Sequence, residues 1–343
     1  MFNPLISVVV PCFNVEKYLP PLFKCINAQT YANLHVIFVD DGSTDETGNL
    51  LRAYCESHPQ HTLIACENAG VASARNRGLD AVKGELCAFL DPDDLICENH
   101  FALLAENLSA SGADMAVCGM KRVCERKALK FDPHRTPLSR KTLFFDKKQA
   151  LEQFFSQEKF DFGLINKIFY SEIIKKSGAR FLDGCRFGEE SYFFFKYLSA
   201  CEKTVFYGAK TYVYVQRRGS LTHSAFNESR LDVYKNIGAV INSAKESDEY
   251  ATVLPYIRVM RAGYSIGILY FILRSEYRDA GIIANILHTL SDDLKCLKKC
   301  PKVALYKKLF LPPCALIAKI VYRKQLKGVG TLKEQSGVVD QVK

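Results

Sequence analysis

Short apolar runs alternate with helical patterns over the first 120 residues of the chain. Residues 6–10 form the first run, and the apolar positions after it repeat at the spacing of one helix face: Leu19, Leu22, Phe23 and Ile26. Further apolar runs lie at residues 36–39, 63–65 and 86–90, each followed by a helical pattern. Apolar runs bounded by turn residues are typical of buried parallel strands. The alternation predicts an α/β fold with a mostly parallel sheet and helices on both faces.

The pattern changes after one more apolar run at residues 115–118. Residues 121–148 are rich in Lys and Arg and contain two prolines, which predicts a surface excursion without regular structure. The aromatic-rich region 151–215 predicts a second core, and from Leu231 onward the pattern is helical. No uncharged apolar stretch reaches the ~20 residues that a membrane-spanning helix needs.

Composition indicates an ordinary globular protein. The chain has 343 residues, of which 48% are hydrophobic, and this is enough for a sizeable core. Its 13 cysteines are scattered and odd in number, so neither a disulfide framework nor a zinc site is predicted. The opening apolar stretch is too short for a secretory signal, and we therefore expect a reducing, cytosolic setting.

Positive charge is concentrated toward the carboxyl end. Between Leu294 and Lys333 there are 11 Lys and Arg residues and no acid, although the whole chain has a net charge of only +9. These cations alternate with apolar segments at residues 309–311, 315–318 and 320–322. The pattern predicts a basic amphipathic tail on an anionic membrane surface, with a solvated terminal helix as the alternative. Nucleic acid is not an expected partner, because no recognition motif accompanies the charge.

Two acidic clusters stand where apolar runs end. Residues 40–45 read DDGSTD, and residues 91–94 read DPDD. In open α/β sheets ligands bind at the carboxyl edge of the strands, and carboxylates gathered there repel one another unless a cation or hydrogen-bond donors hold them. A divalent metal with a phosphate-bearing substrate is the economical interpretation. The first cluster alone also fits a turn with a capping box formed by Ser43 and Glu46.

Four segments follow one another in the first hundred residues. They read VVVPCFN at residues 8–14, VDDGSTD at 39–45, NAGVASARNRG at 68–78 and FLDPDD at 89–94. In this order they resemble the motifs of the family 2 glycosyltransferases. Later segments at residues 164–169, 188–190 and 214–218 are similar to further family signatures, so the resemblance extends to about residue 224. It implies the GT-A fold, a Rossmann-like and mostly parallel sheet, here with a C-terminal helical extension.

The resemblance implies donor-binding roles for residues in these segments. Asp93 would hold Mg²⁺ or Mn²⁺, with Asp91 beside it on metal-bound water or on the donor ribose. Asp40 matches the position that contacts the nucleotide base, usually uracil, and Pro11 begins the loop that lines this pocket. Arg75 matches a position near the base and diphosphate, with a surface salt bridge as the alternative. The implied donor is a UDP-sugar, whose leaving diphosphate a metal held by carboxylates stabilises.

The resemblance also indicates a catalytic base. An inverting transfer needs one carboxylate that takes the proton from the acceptor hydroxyl. The family position is usually an Asp after a Glu, and here Glu190 follows Glu189. The longer side chain moves the carboxylate by roughly 1 Å. Two adjacent acids are expected to raise each other's pKa, although the start of a helix attracts such a pair for structural reasons as well.

A second departure from the family concerns acceptor recognition. The family commonly has Trp where this chain has Ile165, and the chain contains no Trp. The next residues, Asn166 and Lys167, either contact the acceptor or diphosphate or form a solvated turn. Downstream, His223 lies near Arg217 in the sequence and is expected in an exposed polar loop.

These interpretations predict three parts. Residues 1–120 would form a nucleotide-sugar-binding GT-A half, residues 121–230 an acceptor-binding half with the base, and residues 231–343 a helical region with the basic tail. The predicted function is transfer of a sugar to a hydroxyl of a growing surface glycan, such as lipopolysaccharide or capsule. The acceptor would be a glycan or lipid-linked glycan, reached by a cytoplasmic enzyme that is peripheral on the cytosolic face of the inner membrane.

Two other functions stay open at the level of sequence. A nucleotidyltransferase uses a similar sheet and acids, but it is expected to carry a Gly-rich loop with Lys or Arg after the first strand, and residues 11–14 offer none. The other is a nucleotide-sugar-binding protein without catalysis, which is open because Glu190 replaces the usual Asp.

Overall fold

A computed structural model describes most of the chain and divides it into two compact units. The described residues are 3–134, 139, 141–156, 163–217, 226–301, 303 and 305–322. The first unit comprises residues 1–150, 163–184 and 193–222, and the second comprises residues 151–162, 185–192 and 223–343. The predicted division at residues 120 and 230 stays a prediction.

Strands and helices alternate along the first part of the chain, as the pattern predicts. The strands are β1 (Ile6–Cys12), β2 (Leu34–Asp41), β3 (Thr62–Cys66), β4 (Leu86–Phe89), β5 (Leu95–Ile96), β6 (Met115–Cys124), β7 (Thr142–Asp146), β8 (Lys167–Tyr170) and β9 (Lys203–Gln216). The helices are α1 (Leu19–Asn27), α2 (Thr47–Ser57), α3 (Val71–Asp80), α4 (His100–Ser111), α5 (Glu125–Ala128), α6 (Lys147–Ser156), α7 (Ser171–Ser177) and α8 (Glu190–Ser199).

All of these strands belong to one mixed sheet in the first unit. Their order is β3-β2-β1-β4-β8-β6-β9-β5, and β7 also pairs with β9. Strands β1 to β4 are parallel in their pairings, as are β6 and β9, whereas β8 is antiparallel to both β4 and β6. Every residue of β1 and β2 is buried, as expected of parallel strands covered by helices on both faces. The mostly parallel α/β sheet is therefore confirmed.

The prediction of irregular structure for residues 121–148 is wrong, because this range contains the end of β6, helix α5, strand β7 and the start of α6. Strand β6 continues to Cys124, because it stays in register with β9 after a shift between Cys118 and Met120. Residues 142–146 form β7, in which exposed and half-buried side chains alternate, and it pairs with β9 in antiparallel fashion. Charged residues are tolerated in both strands because one face of each is open to solvent.

The described part of the second unit is mostly helical, as the pattern from Leu231 onward predicts for these residues. Its longer helices are α9 (Asp232–Lys245), α10 (Leu254–Leu273), α11 (Ala280–Leu294) and α12 (Leu305–Tyr322). Helices α10 and α11 are joined by a buried ion cluster, in which Asp293 accepts from Arg258 at 2.9 Å and from Arg261 at 2.7 Å. Removing one partner of such a cluster leaves an uncompensated buried charge.

Helix α10 differs from the sequence-based expectation about membrane spans. Its 20 residues are long and apolar enough to cross a membrane, and half of the apolar window is buried inside the protein. The expectation considered only uncharged stretches, whereas α10 contains Arg258 and Arg261. A core helix passes the same test of length and composition.

Two buried histidines of the first unit predict that stability falls in acid. Burial lowers the pKa of His100 to about 3, and burial together with His58 and His35 lowers that of His61 to about 4. Because both rings fold as neutral imidazole, their contribution is complete above the unfolded pKa near 6.5 and is lost as the pH falls toward the folded values. We expect urea unfolding to give a free energy about 2 kcal/mol lower per ring near pH 4.5 than near pH 7. If the free energy of unfolding fell equally with pH in the wild type and in His100→Gln, His100 would not be a source of the acid sensitivity.

Candidate active site

The two acidic clusters lie at the same edge of the sheet. Asp40 is the register partner of Cys12, the last residue of β1. Asp91 follows β4, which pairs with β1 on its other side. Burial and the neighbouring carboxylates of Asp40 and Asp91 raise the pKa of the Cys12 thiol. Asp40 and Asp91 therefore flank the end of β1, at the edge where ligands bind in such sheets.

The carboxylate of Asp40 is buried and held in one orientation. Its Oδ1 accepts a hydrogen bond from the backbone N–H of Ser43 at 3.0 Å. On the other side, a Cβ at Gly48 would lie only 2.8 Å from Oδ2 of Asp40. Glycine at this position in α2 therefore leaves the space that the carboxylate occupies.

The predicted capping box of Ser43 and Glu46 is wrong. Helix α2 begins at Thr47, and its N-cap residue Glu46 makes no side-chain cap bond. The hydroxyl of Ser43 instead accepts a hydrogen bond from the backbone N–H of Asn14 at 3.0 Å. The Oδ1 of Asn14 in turn accepts a hydrogen bond from the backbone N–H of Thr44 at 2.8 Å. The polar residues of this segment thus tie the loop after β1 to the loop after β2.

Asp41, a member of the first acidic cluster, has a structural role. Its two carboxylate oxygens accept from the backbone N–H groups of Ala69 at 2.9 Å and Gly70 at 2.8 Å. Gly70 is the N-cap residue of α3, and its φ of +89° suits glycine. Asp41 therefore supplies the acceptor that this helix start lacks, and it fixes the helix that carries Arg75.

Two ion pairs hold the carboxylates after β4. Arg75 lies 3.1 Å from Asp91, and Arg217, the residue after β9, lies 2.5 Å from Asp93. Arg75 is buried, so its alternative as a surface salt bridge is wrong. The guanidinium of Arg217 also lies 4.5 Å from the ring centre of Tyr18. Burial and the charge of Asp91 raise the pKa of Asp93, which Arg217 opposes.

Asp94 anchors the same loop to β9. Its carboxylate accepts from the hydroxyl of Tyr212 and from the backbone N–H of Val215, both at 2.8 Å. Burial and the charges of Asp93 and Asp91 raise the pKa of Asp94 well above its usual range. Asp94 is buried, and its two hydrogen bonds hold the loop after β4 against β9.

Replacing Asp94 by Ala is expected to destabilise the first unit by about 2–4 kcal/mol, since the buried hydroxyl of Tyr212 and the N–H of Val215 would lose their acceptor. Urea unfolding measures this loss. Asp94→Asn, which keeps an acceptor oxygen, is the matched control and is expected to lose much less. Equal stability of Asp94→Ala and the wild type would contradict the anchoring role.

Asn166 and Lys167 are buried, so the alternative of a solvated turn is wrong. The ammonium of Lys167 donates to Oδ1 of Asn166 at 2.8 Å and to the backbone carbonyl of Gly163 at 2.5 Å. Asn166 in turn donates to the carbonyl of Cys118 at 2.7 Å. Both side chains therefore hold the start of β8, and neither forms a solvated turn. Arg218 and His223 lie outside the described residues.

Asn76 connects α3 to the segment that leads along the chain to the acidic pair. Its side-chain amide donates to the carbonyl of Phe181 at 2.8 Å and to Asp183 at 3.2 Å, and its Oδ1 accepts from the N–H of Phe181 at 3.0 Å. The amide is buried with both of its ends used. Asn76 follows Arg75 in the third motif, which is the signal that the sequence offered.

Glu189 and Glu190 belong to the second unit, at the start of α8. Glu189 is buried, whereas Glu190, the first residue of the helix, is partly exposed. Burial and the charges of Glu190 and Glu189 raise the pKa of Tyr264, so this phenol of α10 lies close to the pair. Before them, Gly188 has a φ of +69°. No sequence motif points to Tyr264, which is distant from the pair along the chain.

Comparison with known sequences identifies relatives among bacterial glycosyltransferases. The profile described as Glycosyl transferase family 2 matches residues 7–176. The chain is 32% identical over 223 residues to glycosyltransferase GlyA of Streptococcus pneumoniae, which is 63% of this chain but only 31% of GlyA. It is also 32% identical over 234 residues to glycosyltransferase GlyG of the same organism, which is 66% of this chain and 76% of GlyG.

Solved structures with a similar fold include TarS of S. aureus. Residues 1–349 of TarS, in complex with UDP-GlcNAc, match this chain with a TM-score of 0.66 and 18% sequence identity. The match covers 95% of this chain and 91% of the TarS chain. A mannosyltransferase from Pyrobaculum calidifontis, in complex with GDP-Man and Mn²⁺, matches with a TM-score of 0.54, 16% identity and coverage of 95% and 84%. The order of motifs, the sheet and the extent of similarity to GlyG agree, and the chain belongs to glycosyl transferase family 2, with the GT-A fold.

Proposed function

We propose that this protein is a metal-dependent, inverting hexosyl-type glycosyltransferase that moves a sugar from a UDP donor to a hydroxyl of a growing bacterial surface glycan. The observation that carries the proposal is the gathering of Asp40, Asp91 and Asp93 around the end of β1 and β4, with Arg75 and Arg217 among them. Mixed charge of this kind suits a ligand that is itself an anion accompanied by a cation.

The donor would lie along this edge of the sheet. Asp40, fixed by Ser43, would accept hydrogen bonds from the base, and Pro11, beside Val39 in the register of β1 and β2, would line the pocket. Arg75 would lie near the base and diphosphate. The solved structure of TarS contains UDP-GlcNAc, which supports a uridine nucleotide as the donor.

The carboxylates after β4 fit a hard divalent cation that brings phosphate ligands of its own. Asp91 and Asp93 supply oxygen donors, and within the described ranges no three His, Cys, Asp or Glu side chains group closely enough to hold an ion by themselves. Mg²⁺ commonly takes one or two carboxylates together with substrate phosphates. Burial and the charge of Asp91 raise the pKa of Asp93, and a cation would relieve this repulsion. When bound, the ion supplies Lewis-acid stabilisation of the leaving diphosphate.

Arg217 would change partner when the donor arrives. It pairs with Asp93 in the protein described here, and it stacks on Tyr18. With Asp93 as a ligand of the cation, the guanidinium of Arg217 would instead face the negative diphosphate and stabilise the charge that develops on it.

Glu190 would act as the base on the acceptor side. It would take the proton of the acceptor hydroxyl as that oxygen attacks the anomeric carbon, and the nucleoside diphosphate would leave from the opposite face of the sugar. Its partial exposure at the start of α8 supports access to an acceptor, whereas the burial of Glu189 supports a positioning role for that side chain.

The acceptor would be a surface glycan such as lipopolysaccharide or capsule, either free or lipid-linked. The enzyme would then work as a peripheral protein on the cytosolic membrane face, held there by its basic tail. Of the tail cations, Lys302 and those from Arg323 to Lys333 lie outside the described residues.

The experiment that tests the proposal incubates the protein with Mn²⁺ and a panel of nucleotide sugars and measures the products. Release of nucleoside diphosphate from one UDP-sugar, accelerated by a glycan acceptor and abolished by chelation, is expected. Release of inorganic pyrophosphate from a nucleoside triphosphate would instead indicate a nucleotidyltransferase. Donor binding by calorimetry without turnover on any acceptor would indicate a binding protein.

A further inference from the structure

The outward side of α12 is made of apolar residues. We define the α12 outer face as Leu309, Phe310, Pro313, Leu316, Ile317, Ile320 and Val321. Its six large side chains are between 41% and 64% exposed. The remaining large hydrophobic residues that are exposed within the described ranges are scattered over other elements, as is usual for single surface residues.

Helical geometry places these residues on one side. An α-helix advances by roughly 100° per residue, so the seven positions fall within an arc of about 140° that contains no charged side chain. The opposite side carries Ala315 and Tyr322, which are buried, and the hydroxyl of Tyr322 donates to the carbonyl of Leu269 in α10 at 2.6 Å. The helix therefore already uses one apolar side for packing inside its unit. The α12 outer face is a second apolar side.

Such an arrangement is the reverse of an ordinary surface helix. A helix on a water-exposed surface presents its polar residues outward and its apolar stripe to the core. A contiguous apolar face of this kind, exposed in a single chain, marks a surface that is covered by a protein partner or by a membrane.

The charges around the helix favour a membrane over a protein partner. Lys307 lies beyond one edge of the α12 outer face, and Lys308 and Lys319 lie beyond the other. Their ammonium groups donate to the carbonyls of Ser156 and Pro301 and to the hydroxyl of Ser291, so they add positive charge beside the face while bonded to the protein. The surrounding sequence from Leu294 to Lys333 carries 11 cations and no acid. Cations beside an apolar face are attracted to anionic lipid headgroups. Binding of a protein partner or of a second copy of this chain would not require that the surrounding charges all be positive.

From this combination we infer that α12 lies in the plane of an anionic bilayer, with the α12 outer face inserted among the acyl chains and the cations of the surrounding sequence attracted to the anionic headgroups. The inference deepens the proposed membrane location and rests on it. It goes further in assigning the insertion to named residues on one face of α12, which the alternation of cations and apolar segments along the sequence does not identify. Apolar insertion is not screened by salt, whereas attraction between exposed charges is.

The test uses the full chain and sedimentation with vesicles. Wild-type protein is expected to pellet with vesicles of phosphatidylglycerol and phosphatidylcholine, and much less with phosphatidylcholine alone. High salt should weaken this binding without abolishing it. The variant Ile317→Gln/Ile320→Gln leaves the charge unchanged and should reduce the partition coefficient by roughly tenfold or more. The matched control Leu129→Gln/Phe144→Gln makes the same change at exposed apolar residues outside α12 and should bind like the wild type.

Three results would overturn the inference. The first is equal binding by Ile317→Gln/Ile320→Gln and the wild type, and the second is complete loss of wild-type binding in high salt. The third is a wild-type oligomer in solution that the variant dissociates, since the face would then join copies of this chain. Release of nucleoside diphosphate from the donor, measured on the same proteins in solution, separates the two proposals. Retained release with no vesicle binding refutes the membrane surface alone.

Discussion

Asp93→Asn is expected to lower the rate of sugar transfer by about 10³-fold, which corresponds to ~4 kcal/mol of transition-state stabilisation. The substitution keeps the size of the side chain but removes the charge that pairs with Arg217 and that would hold the cation. Product release from the nucleotide sugar gives the rate. A second readout is the affinity for Mn²⁺ with the nucleoside diphosphate present, measured by calorimetry, which should weaken in parallel.

The matched control for this change is Asp80→Asn. Asp80 is an exposed acid of α3 that pairs with Arg180 at 2.6 Å, away from the carboxyl ends of the strands. It should transfer sugar like the wild type. Thermal unfolding separates a folding defect from a chemical one, because a variant that melts like the wild type and transfers nothing has lost chemistry alone. Transfer by Asp93→Asn at the wild-type rate would remove the metal assignment.

Glu190→Gln is expected to lower kcat by roughly 10²–10⁴-fold while donor binding stays unchanged. An amide of the same size cannot accept the proton of the acceptor hydroxyl, but it leaves the strand edge that would bind the nucleotide untouched. Steady-state kinetics with varied acceptor measure kcat, and calorimetry with the donor measures binding. The control Glu228→Gln replaces an exposed acid of the same unit and should leave both kcat and donor binding unchanged.

Glu190→Asp examines the departure from the usual family residue. If the surroundings suit the longer side chain, the shorter one withdraws the carboxylate by roughly 1 Å and should lose part of the rate. Glu189→Gln, at the buried member of the pair, distinguishes positioning from proton transfer, because it should alter KM and stability more than kcat. Unchanged kcat in Glu190→Gln would assign the base to another residue.

The sequence predicted most of the strands and helices because their signals are local. Buried parallel strands such as β1 and β2 are continuous apolar runs, and helices such as α3 and α9 repeat apolar positions at helical spacing. Strand β7 and the end of β6 were missed for the opposite reason. These segments form strands because they pair with β9, which lies far along the chain. Local composition does not indicate such a distant pairing.

Candidate site residues divide in the same way. The position of Asp40, Asp91 and Asp93 at strand ends was predictable, because acids after apolar runs are visible in the sequence. The roles of Asp41 and Asp94 were not, since each depends on donors elsewhere in the fold: the start of α3 for one, and Tyr212 with Val215 for the other. The same holds for Lys167, whose ammonium is buried against Gly163 and Asn166.

For α12, the sequence determined that the helix is apolar and rich in cations, because composition and spacing are properties of the chain itself. It could not determine which apolar residues pack inward, because a helix with two apolar sides can bury either one. Packing against α10 decided that Tyr322 turns inward and left Ile317 and Ile320 exposed. The order of the motifs likewise determined the family, whereas only the pairing of β1 with β2 and β4 brought their acids to one edge. Local patterns specify elements, and long-range contacts decide which side chains meet.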